Sequence, residues 1–166
     1  MRTRILSVTA GAVFLALGAI ACGGGNDSDG SSDASAAIIE RIQGICSDWK
    51  TTFDERGGFP VEGFDPENPS PEELRAVGDY FASGQPAHEK AVADLRELSP
   101  PADIETKVES LVSALEAELA SAKVQTRAAQ AGEVEAFVAT LDDAASAQKV
   151  VEKAADELGG GESCAF

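Results

Sequence analysis

Residues 70–98 read SPEELRAVGDYFASGQPAHEKAVADLREL, and within them Leu74, Val77, Phe81, Gly84, His88, Ala91, Leu95 and Leu98 recur in steps of three and four. A helix turns once in about 3.6 residues, so these eight positions fall on one side of it. The start signal lies in the same stretch: Ser70 is a helix cap, Pro71 takes the first helical position, and Glu73 completes a capping box. Ser99, Pro100 and Pro101 end the segment. Pro86 falls inside it, yet the phase is the same on both sides. Two unrelated helices have no reason to keep register, so the spacing predicts one kinked but continuous helix, with a break at Ser83 and Gly84 as the alternative.

The same period extends outward from this segment. Upstream, Ile38, Ile42, Ile45, Trp49 and Phe53 form one stripe that Gly57, Gly58 and Pro60 terminate. A loop follows to Pro69, carrying Phe59, Val61 and Phe64 among acids and prolines. Downstream, Ile104, Val108, Leu111, Leu115, Leu119 and Ala122 form a third stripe that fades into Thr126 and Ala129 before Gly132, a residue suited to a left-handed helix end. A fourth carries Val134, Phe137, Val138, Leu141, Ala144, Val151 and Leu158 and stops at Gly159, Gly160 and Gly161. Four amphipathic helices with short connections predict an all-α fold, an antiparallel four-helix bundle in up-down-up-down order.

The N-terminus has a different character. Arg2 and Arg4 precede an uncharged, mostly apolar run from Ile5 to Ala21, the pattern of a secretory signal. Seventeen residues containing Gly11 and Gly18 are short for a permanent span, which takes about 20. The stretch Ala19, Ile20, Ala21, Cys22 resembles the lipobox of bacterial lipoproteins, although Ala19 stands where Leu is commoner. That resemblance implies cleavage before Cys22, acylation of Cys22 with chains such as palmitate, and residence on the outer face of the cell membrane. Ala19 and Ala21 also fit ordinary signal peptidase, which would release the protein with Cys22 as a thiol. Residues 22–35, rich in Gly, Asn, Asp and Ser, read as a flexible tether. The expected organisation is therefore a signal over 1–21, the lipidated cysteine and tether over 22–35, and a helical domain over 36–166, resembling the small helical lipoproteins of bacteria.

The chain has three cysteines. Acylation of Cys22 leaves Cys46 and Cys164 as an even pair in an oxidising compartment. In an up-down-up-down bundle the tail after Leu158 lies near the start of the first helix and spans up to about 20 Å when extended, enough to approach Cys46. A Cys46–Cys164 disulfide is the expectation, and two buried thiols the alternative.

The formal charge is −16, and cleavage of the leader removes Arg2 and Arg4 as well. A field of that sign repels phosphate, which argues against nucleic acid as a partner and against an electrostatic membrane patch. Asp54, Glu55, Glu62, Asp65, Glu67, Glu72 and Glu73 crowd the loop, but their spacing is not that of a calcium loop.

His88 is the sole histidine, and the only methionine, Met1, leaves with the leader. Haem ligation through His/His or His/Met is thereby excluded, and the Glu-x-x-His of di-iron bundles is absent. A zinc set of Cys46, Cys164 and His88 is chemically allowed, but export favours the disulfide. His88 is read as packed against the gap left by Gly84, Trp49 as core, and Tyr80 as partly exposed. No nucleophile elbow, phosphate loop or zincin motif occurs. The sequence thus points to no cofactor, metal or catalytic residue. It points to a membrane-anchored module that binds an envelope protein or a small ligand through Phe59, Phe64 and Tyr80. An inert spacer lipoprotein is one alternative, and a metal-dependent or hydrolytic enzyme a weaker one. The enzyme reading requires a solvent-accessible His88 beside a carboxylate.

Overall fold

The computed structural model describes residues 29–159 together with Cys164. The segment expected to be a signal, residues 1–21, and Cys22 lie outside the described residues. The described chain is all-α: α1 (Asp29–Asp54), α2 (Pro71–Arg96), α3 (Glu105–Ala131), α4 (Val134–Val138) and α5 (Leu141–Glu157). Among the described residues no helix is long and apolar enough to cross a membrane.

α1 begins inside the stretch that composition assigned to a tether over 22–35. Ser35 explains the difference, since it is buried and its hydroxyl donates to Asp103 Oδ2 at 2.8 Å, tying this end of α1 to the α2–α3 connection. A tertiary contact of this kind overrides weak local propensity.

α2 starts as its sequence dictates. Ser70 Oγ accepts from the Glu73 N–H at 3.3 Å, and Glu73 Oε2 accepts from the Ser70 N–H at 2.9 Å. The helix is continuous through Pro86. Val77 before the proline and Ala91 and Leu95 after it are all buried, so both halves are held by one interface, chiefly with α3. α3 ends in a Schellman motif: Gly132 has φ +71°, its N–H donates to Ala129 O at 2.9 Å, and the Glu133 N–H donates to Ala128 O at 3.0 Å.

The fourth helix of the sequence reading is two helices, interrupted at Ala139 and Thr140. Thr140 turns both its N–H and its hydroxyl onto Phe137 O, at 2.9 and 2.6 Å, a local bond that competes with the regular ladder. The bend lets Phe137 enter a core with Leu74, Ala128 and Ala129 while α5 lies along α3.

The four long helices form a bundle in which α1 packs on α2, α2 on α3, and α3 on α5. Contacts across the first two seams run in opposite chain senses: Trp49 and Phe53 of α1 meet His88 and Tyr80 of α2, while Glu89 and Arg96 of α2 pair with Lys123 and Glu116 of α3. The main core gathers Ile42, Cys46, Leu95, Leu111, Leu115 and Val151, each almost fully buried. Ile38 and Ile45 of the first stripe are only half-buried at its margin. Cys46 and Cys164 are joined in a disulfide, with Cα atoms 4.9 Å apart. Gln43 Nε2 adds a hydrogen bond to Gly159 O at 3.3 Å, so the end of the chain is fastened to α1 twice.

Candidate functional site

Two places concentrate the chemistry-bearing side chains. The first is the end of the bundle where α1 stops, the loop over 55–70 crosses, and α2 begins. Phe59 stands at its centre, 45% exposed. Its ring lies 5.5 Å from Phe64, 5.6 Å from Tyr80 and 6.4 Å from Phe81, and Tyr80 in turn lies edge-on to Phe53 at 5.7 Å. The three residues singled out from the sequence, Phe59, Phe64 and Tyr80, are thus brought together. Their exposures differ: Phe64 and Tyr80 are half-buried, and Phe64 leans on Phe137 of the smaller core.

Arg56 pins this end and was not legible as part of it. Its guanidinium lies 3.7 Å from the Phe53 ring centroid and 4.6 Å from that of Tyr80. Its Nη1 donates to Tyr80 O at 2.7 Å and to Ser83 Oγ at 2.9 Å. The space at Gly84, read from sequence as a gap beside His88, is filled by this guanidinium: a Cβ there would stand 2.5 Å from Nη1. One signal was available, because Arg56 is the sole cation among the seven acids between positions 54 and 73.

The seven acids of this segment, Asp54, Glu55, Glu62, Asp65, Glu67, Glu72 and Glu73, are all exposed. Asp54 pairs with Lys50 at 3.4 Å and Glu72 with Arg75 at 3.7 Å, weak surface contacts that leave the segment strongly negative.

The second place is the α1–α2–α3 interior. The His88 ring stacks on Trp49 with centroids 4.2 Å apart, both side chains buried. Burial lowers the His88 pKa to about 4, and the positive charge of Lys123 adds to this, against opposing contributions from the Leu115 backbone and Glu89. Across the seam Glu118 Oε2 lies 3.9 Å from His88 Nε2. Burial, reinforced by the negative charge of Glu152, raises the Glu118 pKa to about 7. The 3.9 Å contact is therefore not an ion pair near neutral pH, since the imidazole is uncharged there, and it is too long for a hydrogen bond. His88 stands beside a carboxyl group as a hydrolytic reading needs, but it is only 7% exposed, so the accessibility that reading also needs is not met.

Cys46 and Cys164, being joined, offer no thiolate to a metal. Among the described residues no three His, Cys, Asp or Glu side chains gather at metal-binding distance. No known family matches this sequence, and no curated protein or solved structure is similar to it.

Proposed function

We propose that this chain is an exported protein, acylated on Cys22 and held at the outer face of the cell membrane, whose helical domain is a non-enzymatic binding module. The binding surface is the aromatic end of the bundle, and its partner is an envelope protein that presents an apolar side chain flanked by lysine or arginine. The observation that carries this reading is Phe59, a large ring left 45% exposed at the centre of a packed aromatic cluster. Isolated exposed apolar residues are ordinary, but a ring held by rings beneath it is a preorganised contact. The seven exposed acids of the same segment, positions 54 to 73, supply the complementary charge that steers a basic partner. Export is supported by the leader pattern and by a buried disulfide, which persists in oxidising compartments.

The test is cross-linking and pull-down from the native envelope, run in parallel with intact protein, Phe59→Ala and Glu62→Gln/Glu67→Gln. A partner retained by the parent and lost at least tenfold in Phe59→Ala, with capture that weakens as salt rises, supports the reading. A set of captured proteins that is the same for all three forms overturns it and leaves the spacer alternative. In the same preparations the parent belongs in the membrane fraction and Cys22→Ser in the soluble one. Recovery of the parent free of membranes would remove the anchoring half.

A further inference from the structure

The inward stripe of α3, with Val108, Leu111, Leu115 and Ala129, is buried. A second stripe of the same kind runs along the opposite side. Thr106, Ser110, Ser113, Ala117, Ala120 and Val124 recur in alternate steps of four and three, and all six are exposed. Positions so spaced stay on one face of a helix along its whole length. None of the six carries a charge. A solvated helix face ordinarily does, as α5 shows with the exposed Asp142, Asp143, Lys149, Lys153 and Glu157.

Apolar surface and charge single out the same face. Apart from Phe59, the large apolar side chains left exposed among the described residues are Val124, at 47%, and Val150, at 56%. Val150 stands on the α5 side of an open groove of about 500 Å³, and Glu109, Ser110, Ser113 and Ala117 help to form its α3 wall. Glu109 borders the stripe near one end. Arg127 continues it at the other, three positions past Val124. Both are exposed, and neither forms an ion pair with a described residue.

This pattern is complementary to its own reversed copy. When two α3 helices lie antiparallel, with Ala117 of each beside Ala120 of the other, Val124 comes opposite Ser113 of the second copy, at the mouth of its groove. Arg127 then comes within one position of Glu109 of the second copy, and two-fold symmetry makes every contact twice. A parallel pair would instead set Glu109 against Glu109 and Arg127 against Arg127, which repel. A basic partner would find here one acid and one base, not the seven acids of positions 54 to 73. Small side chains at the crossing let the two helix axes approach to about 8 Å.

We propose that the outer face of α3 is a self-association surface on which a second copy of this chain packs antiparallel, Val124 entering the groove beside Val150 and Arg127 pairing with Glu109 in both directions. The rings around Phe59 belong to α1, α2 and the loop between them, so this proposal and the binding-module reading are tested separately. For two copies anchored in one membrane, the arrangement lays α3 along the surface, with the two-fold axis along the membrane normal.

The test is sedimentation velocity on the soluble Cys22→Ser protein from about 10 µM to about 1 mM, the range in which a small interface associates. Salt at about 0.15 M screens the repulsion between two negative copies beyond about 8 Å. This protein shifts from monomer to dimer as its concentration rises. Adding Arg127→Glu sets like charges together twice and weakens the dimer at least about tenfold. Glu109→Arg/Arg127→Glu exchanges the two signs and restores affinity to within about threefold of the starting value. Ala117→Glu, at the centre of the crossing, abolishes the dimer, and Phe59→Ala leaves it unchanged. A protein that stays monomeric over the whole range overturns the proposal. So does a dimer that Arg127→Glu does not weaken, or one that the exchanged pair does not restore. Every altered position on α3 is exposed, and circular dichroism checks that each variant is folded. If Ala117→Glu is not, the charge exchange alone decides.

Discussion

His88 and Glu118 face each other at 3.9 Å with their proton affinities moved in opposite directions by the same cause, loss of water. The consequences for stability have opposite signs. Glu118 titrates near 7 in the folded chain against an ordinary 4.5, so between those values the folded state keeps a proton that the unfolded state has lost, and stability falls as pH rises. His88 titrates near 4 against an ordinary 6.5, so over that range the unfolded state holds the extra proton, and stability falls as pH drops. The slopes oppose each other between 4.5 and 6.5, and the Glu118 loss stands alone above that. Glu118→Gln should therefore match the parent near about pH 5 and exceed its stability near about pH 8 by on the order of 2 kcal/mol, measured by urea unfolding. A difference that does not change with pH would sink this account. The inward position of His88 was legible, because it sits in the three-four stripe of its helix. Its neighbour was not: Glu118 flanks Leu115 and Leu119 on α3, where a carboxylate reads as a solvated edge. Arg56 was hidden for a similar reason. It lies two positions beyond the end of α1, close to Phe53 of its own helix, and only the approach of α2 adds the Tyr80 ring and carbonyl.

At the scale of elements the hydrophobic period carried the long helices, and local chemistry carried their ends. The Ser70 capping box and the left-handed Gly132 are both where their residue types place them. Pro86 shows how far packing overrides a local penalty. A proline inside a helix forfeits a backbone hydrogen bond and crowds the preceding turn, at a cost of about 3 kcal/mol in an isolated helix. Because α2 is continuous and Pro86 is exposed, nothing in its side chain offsets that loss. Pro86→Ala should stabilise the protein by about 1 to 3 kcal/mol, read as a rise in the denaturation midpoint with the slope unchanged. A destabilised variant would mean that the packing of α2 on α3 depends on the proline at this position. The division of the fourth helix at Thr140 was not legible. Threonine is compatible with a helix, and the bond it makes to Phe137 O is favoured here because Phe137 is drawn into the smaller core. The early start of α1 at Asp29 has the same origin, a contact between Ser35 and Asp103 across 68 positions of sequence.

The whole molecule is closed by one covalent link. Cys46 and Cys164 are 118 positions apart, so their bond constrains nearly all of the described chain. In the chain-entropy account a loop of that length contributes about 4 to 5 kcal/mol through the unfolded state. Replacing both cysteines with alanine should lower unfolding stability by several kcal/mol, at most about 5, while far-ultraviolet circular dichroism at low temperature still reports a helical protein. An unchanged denaturation midpoint would show that the core and the Gln43 contact suffice without the link. The sequence by itself determined the helical class and the turn chemistry at Ser70 and Gly132. These depend on neighbours within a few positions, and the chain carries them whatever its partners in space. The tertiary structure alone decided that Arg56 occupies the notch at Gly84, that Glu118 confronts His88, and that Phe59 stays exposed while Phe64 leans inward. Each of these depends on how two or three helices are rotated about their axes. That rotation is chosen by the fit of all the inward side chains at once, and no single segment records it.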